Sequence, residues 1–522
     1  MIPPWVRPES PETIRMIDDA TVAFQPAFGR GQTQRGIFAD PRWGLRRRYR
    51  GLRSDEKAAI LNVLNESRGQ LNQIRVTPHT PIRGSLATSE LLSNNTFASG
   101  TTGWSSGSGY TIAVSDRIVR ATRIAMTGAD YALASSVVSC VQYAPYVARF
   151  FVAPGRGSYF ATGATIDDTQ NSVTGSLSTN LGLRSQVFVP SATTISIGLA
   201  DREASGLAAG DFLSITYASL ARCMLVDAGP NYLLQSRSID NAAWVKQACS
   251  IGANVIAGVE NSNTADGVIE SAANTLHYVQ QTNTVSSAAA DICFAAYVRG
   301  AARGWIALLM TETTGSTQTV AYLNLTTGAL GTQSASGNWS NQRAFARNMG
   351  NSWWYIALIA RKTNAATSVE SSIFGATADN TPTYAGNGVT TGFHIDGTAF
   401  SPSSVPIRIT NTTSSATTAG TSPTGSGVYV KGLPISTAGL LLSGDWVEIN
   451  GELKRITAPL NSDAAGLGYL QLRPGLAGGP ADNDPVIVYE PFGRFIYPGM
   501  REFENLFGIY GDCEMNLEEV YS

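Results

Sequence analysis

The amino-acid sequence predicts a mainly β protein made of several units: a small α+β framework domain split between the N- and C-termini, two inserted jelly-roll-like β-sandwiches, and a small β-barrel-like segment near the C-terminus. Three observations lead there. At 522 residues the chain is too long for one hydrophobic core, because a domain usually takes about 100 to 200 residues. Hydrophobic residues make up 43% and charged residues 15%, the latter well under the usual share of about 25%. Ser, Thr, Ala and Gly fill the difference, with 52 glycines, which suits short strands and tight turns rather than long helices with charged outer faces. Charge is also unevenly placed. Residues 1–83 hold 14 Arg and Lys against 8 Asp and Glu, although the whole chain carries a net charge of only -2. The basic end is therefore a unit with its own surface, while the chain as a whole is not steered toward nucleic acid or an anionic membrane.

Residues 1–83 form the first part of the framework. Strands are expected around Thr21-Val22-Ala23-Phe24, from Arg46 to Leu52 and over Leu71 to Val76, where Pro78 and Pro81 stop the last. Between them lies a helix signal: Ser54 as cap, Asp55 and Glu56 at the positive N-terminal end, Ile60, Leu61 and Leu64 as an apolar stripe, and Gly69 as terminator. From Gly84 the pattern becomes strand, turn, strand to about residue 408, and a weak repeat divides it. Leu91 to Phe97 with Trp104 has a counterpart in Asn231 to Leu234 with Trp244, and Tyr146-Val147 is echoed by Tyr297-Val298. Such offsets predict two successive β-sandwich modules, 84–228 and 229–410. Residues 411–427 are a low-complexity linker. A barrel-like domain follows over 428–490, marked by the hairpin Gly444 to Thr457, in which Asn450-Gly451 can take the positive φ angles of a two-residue turn. Strands are expected at Tyr469 to Leu472 and Val486 to Tyr489. The acidic stretch 491–522 closes the framework, with Met515, Leu517 and Glu519 alternating as in a strand.

Several chemistries are disfavoured by the residues present. The N-terminus lacks the apolar core and cleavage pattern of a signal peptide, and no apolar run approaches the roughly 18 residues of a membrane span, so synthesis in the cytoplasm and no membrane partner are expected. Cys140, Cys223, Cys249, Cys293 and Cys513 are widely spaced with no CxxC pair and read as buried thiols. His79, His277 and His394 stand in no metal-binding spacing. No GxSxG elbow, P-loop or dinucleotide fingerprint occurs. Asp167-Asp168 and Asp201 are the nearest candidates for a glycosidase-type carboxylate pair, with a turn or calcium role preferred. No enzyme activity and no cofactor are expected.

The hairpin Gly-Asp-Trp-Val-Glu-Ile-Asn-Gly at 444–451, Leu472-Arg473-Pro474 and Pro491-Phe492-Gly493-Arg494-Phe495 resemble the C-terminal portion of distal tail and minor tail proteins of long-tailed bacteriophages, and residues 1–83 resemble the strand-rich N-terminal half of that family. The central region is similar to the carbohydrate-binding-type jelly rolls that phage tails carry. In the second module this similarity rests on Asn231 to Leu234, Trp244, Thr264 to Gly267, His277-Tyr278, Tyr297 to Arg299, Asn324 to Gly328, Trp353 to Tyr355 and Tyr384 to Gly388. The resemblance implies a virion protein at the tail tip, made in the host cytoplasm, forming a homo-oligomeric ring (a hexamer is one form) between tail tube, hub and fibre proteins, with DNA met only in passage through the channel. It places Ala98 where related modules often carry a glutamate beside a structural calcium, which puts calcium there in doubt.

Two sets of residues are candidates for function. A sugar ring stacks its C–H face on an exposed aromatic, and Trp104, Tyr110, Trp305, Trp339 and Tyr384 lie beside Gly, Ser or Asn as loop aromatics do. Host-surface glycan is the expected ligand. Trp353 and Trp354, if on a strand, must point to opposite faces, one buried and the other toward a neighbour or solvent. Arginines 30, 35, 42, 46, 47, 48, 50 and 53 could attract phosphate, but Arg42, Arg46, Arg47, Arg48 and Arg50 with Glu514, Glu518 and Glu519 better suit an assembly interface. The alternatives carried are a tail-associated polysaccharide depolymerase and a non-phage surface adhesin.

Overall fold

The computed structural model describes residues 84–496, less 87–89, 116, 125–129, 155–163, 169–172, 175–181, 202–209, 211, 314–316, 414–424 and 464–465; outside that span it describes the strands 13–17, 24–26, 32–34, 42–52, 74–76 and 511–519. The described residues are all β. The predicted helix from Ser54 to Gly69 lies outside them.

Both chain ends enter one antiparallel sheet, in the order Thr13–Ile17, Arg42–Leu52, Gly511–Glu519, Gly493–Ile496, Ile74–Val76. Its centre pairs the basic strand with the acidic one, with Arg48 opposite Glu514 and Gly44 opposite Glu518. Phe24–Pro26 forms a separate hairpin with Gln32–Gln34.

The first module is a sandwich of two five-stranded sheets. One runs Gly182–Phe188, Tyr146–Pro154, Phe212–Arg222, Ile118–Arg123, Tyr110–Ser115, and the other Val173–Thr174, Ala164–Asp168, Ile197–Asp201, Asp130–Ser135, Trp104–Ser105. Alternate residues of both sheets, among them Val119, Leu133, Phe150, Leu199 and Leu220, fill its core. The second module repeats the plan with six strands in each sheet. In one, Thr391–Pro402 and Ala290–Gly300 are central, flanked by Asn263–Glu270 and Cys249–Ala257 on one side and by Trp353–Lys362 and Trp339–Gly350 on the other. The tryptophans of the repeat seen in the sequence have a structural counterpart: Trp104 and Trp244 each close a core with the indole nitrogen donating to the carbonyls of Asn94 and Gln235, whereas Tyr146 faces its module's core and Tyr297 packs on a separate cluster. Trp353 and Trp354 do face opposite ways. Trp353 is 1% exposed, whereas Trp354 packs across the inter-sheet core with Gly328 against its ring.

The C-terminal barrel is closed, and its closing strand comes from elsewhere. Gly425–Lys431, Gly468–Leu476, Glu452–Ile456, Trp446–Ile449 and Pro485–Ile487 are joined by Met224–Val226, which lies about 200 residues before its neighbour in the barrel. Leu225 pairs with Lys431 on one side and Pro485 on the other. Residues 224–226, expected at the end of the first module, pair instead within the barrel, because an open barrel would leave two edges of unpaired backbone groups. The predicted hairpin turn is present, with φ of 52° at Asn450 and 76° at Gly451.

Module one, barrel and module two meet at a shared joint. Val147, Cys223, Leu225, Val405 and Ile487 form one apolar cluster drawn from all three. Beside it Arg149, fully buried, donates to the carbonyls of Glu490 at 3.1 Å and Tyr489 at 2.8 Å, lies 3.7 Å from the Glu448 carboxylate and stacks 4.7 Å from the Phe492 ring centroid. Tyr217 donates to the Glu490 carboxylate at 2.6 Å. Lys431, also fully buried, bridges Asp482 at 2.8 Å and Asp227 at 3.7 Å. Cys223 and Cys293 are buried thiols, while Cys140 and Cys249 are partly buried.

Two outcomes follow from this joint. Arg149→Ala leaves Glu448 and two carbonyls without their cation and should destabilise by about 3–5 kcal/mol, read as a lower urea midpoint, while Arg149→Met should cost less. Glu90 accepts backbone N–H groups from Leu92 at 3.1 Å and Leu220 at 2.8 Å, yet burial, aided by Glu490, pushes its carboxyl up to about 7. The folded chain thus holds this proton more tightly than the unfolded chain, so the contribution is full below about pH 4.5 and is lost as pH rises through about 7. Melting temperature measured from pH 4.5 to 8 should fall more steeply in the wild type than in Glu90→Gln, and equal slopes would contradict the assignment.

Candidate functional site

Four of the five aromatics proposed for sugar stacking are core residues, which corrects the reading of them as loop platforms. Trp104 is 8% exposed, Tyr110 4%, Trp339 5% and Tyr384 6%. Neighbouring Gly and Ser marked strand starts rather than exposed loops, and each polar tip that leaves the core has a partner within the fold. The Trp339 indole donates to the carbonyl of Thr317 at 3.3 Å. Tyr384 donates to the Glu270 carboxylate, which also takes Arg303 Nε at 2.8 Å, and its ring lies 4.8 Å from His277. Trp305 is partly exposed but packs beside Ala307, Tyr322 and Phe374 on the outer face of its sheet. The loop in which calcium was in question is tied by an amide: Asn94 Nδ2 donates to the carbonyls of Gly100 and Thr102, and its Oδ1 accepts from Ser99 N–H.

Asp167 and Asp201 are not brought together. Asp201 pairs with Ala164, three positions along the strand from Asp167 and four from Asp168. Among the described residues no group of three or more His, Cys, Asp or Glu is arranged to hold a metal. Of the assembly residues, Arg42, Arg46, Arg47, Arg48 and Arg50 lie on one strand of the framework sheet and Glu514, Glu518 and Glu519 on the strand beside it.

The sequence reading missed a polar cleft of about 390 Å³ in the second module, a size in the range of small-ligand sites. Two hairpin turns meet over the end of the central strands to build it. One turn joins Cys249–Ala257 to Asn263–Glu270, with Asn261 at a φ of 60°. The other is the two-residue link Asn351-Ser352 between Trp339–Gly350 and Trp353–Lys362, with φ of 51° and 62°, the left-handed pair that a tight hairpin demands. These strands lie toward opposite edges of the sheet, yet the two turns reach each other, and Asn351 Nδ2 donates to Asn261 Oδ1 at 3.4 Å. Below them Arg299, on the central strand Ala290–Gly300, lines the floor.

The walls are held by bonds inside the fold. Trp353 donates from its indole nitrogen to the carbonyl of Ala257 at 3.2 Å. Asp396, fully buried, accepts Val259 N–H at 2.7 Å and the Thr264 hydroxyl at 2.6 Å. Gly258 rests directly on that carboxylate, where a Cβ would come within 2.2 Å. The only signals for this site in the sequence were the Asn-Ser turn and an arginine on a core strand. Exposed aromatic surface occurs instead on the barrel, where Tyr429 and Tyr469 face each other across neighbouring strands with ring centroids 4.8 Å apart.

No family model matches the chain, and no curated protein does. Among solved structures the chain is similar to the N-terminal CBM22-1-CBM22-2 tandem domain of Xyn10C from Paenibacillus barcinonensis, at 12% identity over 61% of this chain and 98% of that one, with a TM-score of 0.22. It is similar also to the tandem CBM51 modules of the family 98 glycoside hydrolase Sp3GH98 from Streptococcus pneumoniae, at 10% identity over 68% and 93%, with a TM-score of 0.18. The two sandwiches are defined by their own strand pairing.

Two substitutions separate core from cleft. Trp339→Ala should cost about 3–5 kcal/mol as a core truncation, seen as a lowered denaturation midpoint. Ser352→Gly relieves a left-handed serine and should gain about 0.5–1 kcal/mol by the same measurement.

Proposed function

We propose that this chain is a structural, non-catalytic protein of a bacteriophage tail tip. Its two ends form a framework that assembles into a ring hub between tail tube and host-recognition apparatus, and its sandwich modules bind host-surface glycans. The observation that supports the assembly reading is the pairing of Arg42–Leu52 with Gly511–Glu519. A sheet completed from both ends roots everything between them as an insert, so modules are displayed without interrupting the framework. Side by side, a strand rich in arginine and one rich in carboxylates make the sheet charge-complementary, and their side chains are the ones expected to extend that complementarity to neighbouring subunits. The glycan reading is supported by the cleft at the sheet end of module two, concave, polar and held by the sandwich rather than by a free loop. In this reading the protein resides in the virion after synthesis in the host cytoplasm and contacts tail tube, hub and fibre proteins.

Mass photometry of the full chain at rising concentration should reveal a ring-sized oligomer. Monomers at every concentration, together with no ring in micrographs of assembled tails, would sink the assembly reading. On an array of host-surface polysaccharides the full chain should be retained by a subset, and a flat array would reduce the modules to spacers. Release of reducing ends from any of these polymers would replace binding by depolymerase activity.

A further inference from the structure

The charges around the module-two cleft are not balanced within the fold. Glu260 is taken by Arg237 at 3.0 Å. Asp396 accepts hydrogen bonds from Val259 N–H and the Thr264 hydroxyl and forms no ion pair with Arg299. His394, opposite Arg299 on the adjacent strand, is kept neutral by burial and by Arg299 itself, and its Nδ1 has no partner. Arg299 is only partly buried, and among the described residues its guanidinium makes no hydrogen bond and no ion pair. A planar fork of donors is thus left facing a semi-enclosed polar space, where water screens it less than on an open surface. Around it stand neutral donors and acceptors, the amides of Asn261 and Asn351 and the hydroxyl of Ser352, suited to sugar hydroxyls.

We infer that this cleft takes a carboxylate-bearing saccharide, a uronic- or sialic-acid type of residue, with Arg299 receiving the carboxylate in a two-point contact and Asn261, Asn351 and Ser352 bonding the ring hydroxyls. The inference rests on the glycan-binding reading and narrows it to acidic sugars. Neutral sugars offer the guanidinium only uncharged hydroxyl acceptors, and would leave its charge partly desolvated without a counter-charge. A free inorganic anion could also satisfy Arg299, and the arms of the test below distinguish it from a saccharide.

The test is an array of matched pairs probed with the full chain: sialyllactose against lactose, galacturonate trimer against its methyl ester, and acidic capsule oligosaccharides against their carboxyl-reduced forms. At least one acidic member should bind tenfold or more tightly than its neutral partner, with affinity falling as salt is raised. Arg299→Gln should abolish that preference, and Arg299→Lys should restore part of it, with unchanged melting temperature as the check on folding. Equal binding of acidic and neutral partners, or a preference that survives in Arg299→Gln, overturns the carboxylate assignment and leaves the glycan reading standing. Retention of no saccharide of either kind overturns both, and binding of phosphate or sulfate alone with no saccharide selects a simple anion site and overturns the sugar assignment.

Discussion

A guanidinium withdrawn from water needs partners inside the protein, and Arg149 finds a carboxylate and two carbonyls, though none for its Nε, only because three parts of the chain converge on it. The arginine belongs to the first sandwich, its two carbonyl partners belong to the segment 489–490 that leaves the barrel, and Glu448 belongs to a barrel strand. Phe492 covers the guanidinium, and the same stretch then runs into Gly493–Ile496 of the framework sheet. Freeing the sandwich from the barrel would break these contacts and expose the apolar cluster of Val147, Cys223, Leu225, Val405 and Ile487 that the units share. Sandwich, barrel and route to the framework are therefore held as one piece, and Glu90 and Tyr217 sit within the same polar network.

The barrel adds a covalent version of this constraint. Its closing strand, Met224–Val226, is the direct continuation of the last long strand of module one, Phe212–Arg222, so neither unit can separate without opening the other. Module two leaves the barrel after this strand and returns just before Gly425–Lys431, and buried Lys431 pairs with Asp227 at its departure. Insertion into a closed barrel, rather than attachment by a single tether, explains how a second sandwich can be carried at a defined orientation.

The cleft itself illustrates why aromatic residues misled. Sequence neighbours of Trp104, Trp339 and Tyr384 are small and polar, which suggests loops, but in a sandwich each strand begins beside such residues and immediately enters the core. Burial of a tryptophan is decided by the sheet opposite it. The polar cleft depends on something less visible still: Asn261 and Asn351 are 90 residues apart and meet only once the whole sheet has formed. Nothing in the local pattern around Arg299, a strand of mostly apolar residues, marks its guanidinium as unpaired.

Local physics, read from the sequence, determined the β class, two sandwich-sized repeats, the opposed faces of Trp353 and Trp354, and the Asn450-Gly451 hairpin, because alternation, turn chemistry and φ preferences act between near neighbours. It also determined the charge contrast between the chain ends. Tertiary structure alone decided that those ends share one sheet, that residues 224–226 close the barrel, that Arg149 clamps the joint, and that the candidate aromatics lie inside while a distant pair of turns forms the cleft. Each of these depends on which strand edges remain unpaired and which charges remain unmatched once the whole chain has folded, and that balance is set by partners tens to hundreds of residues away.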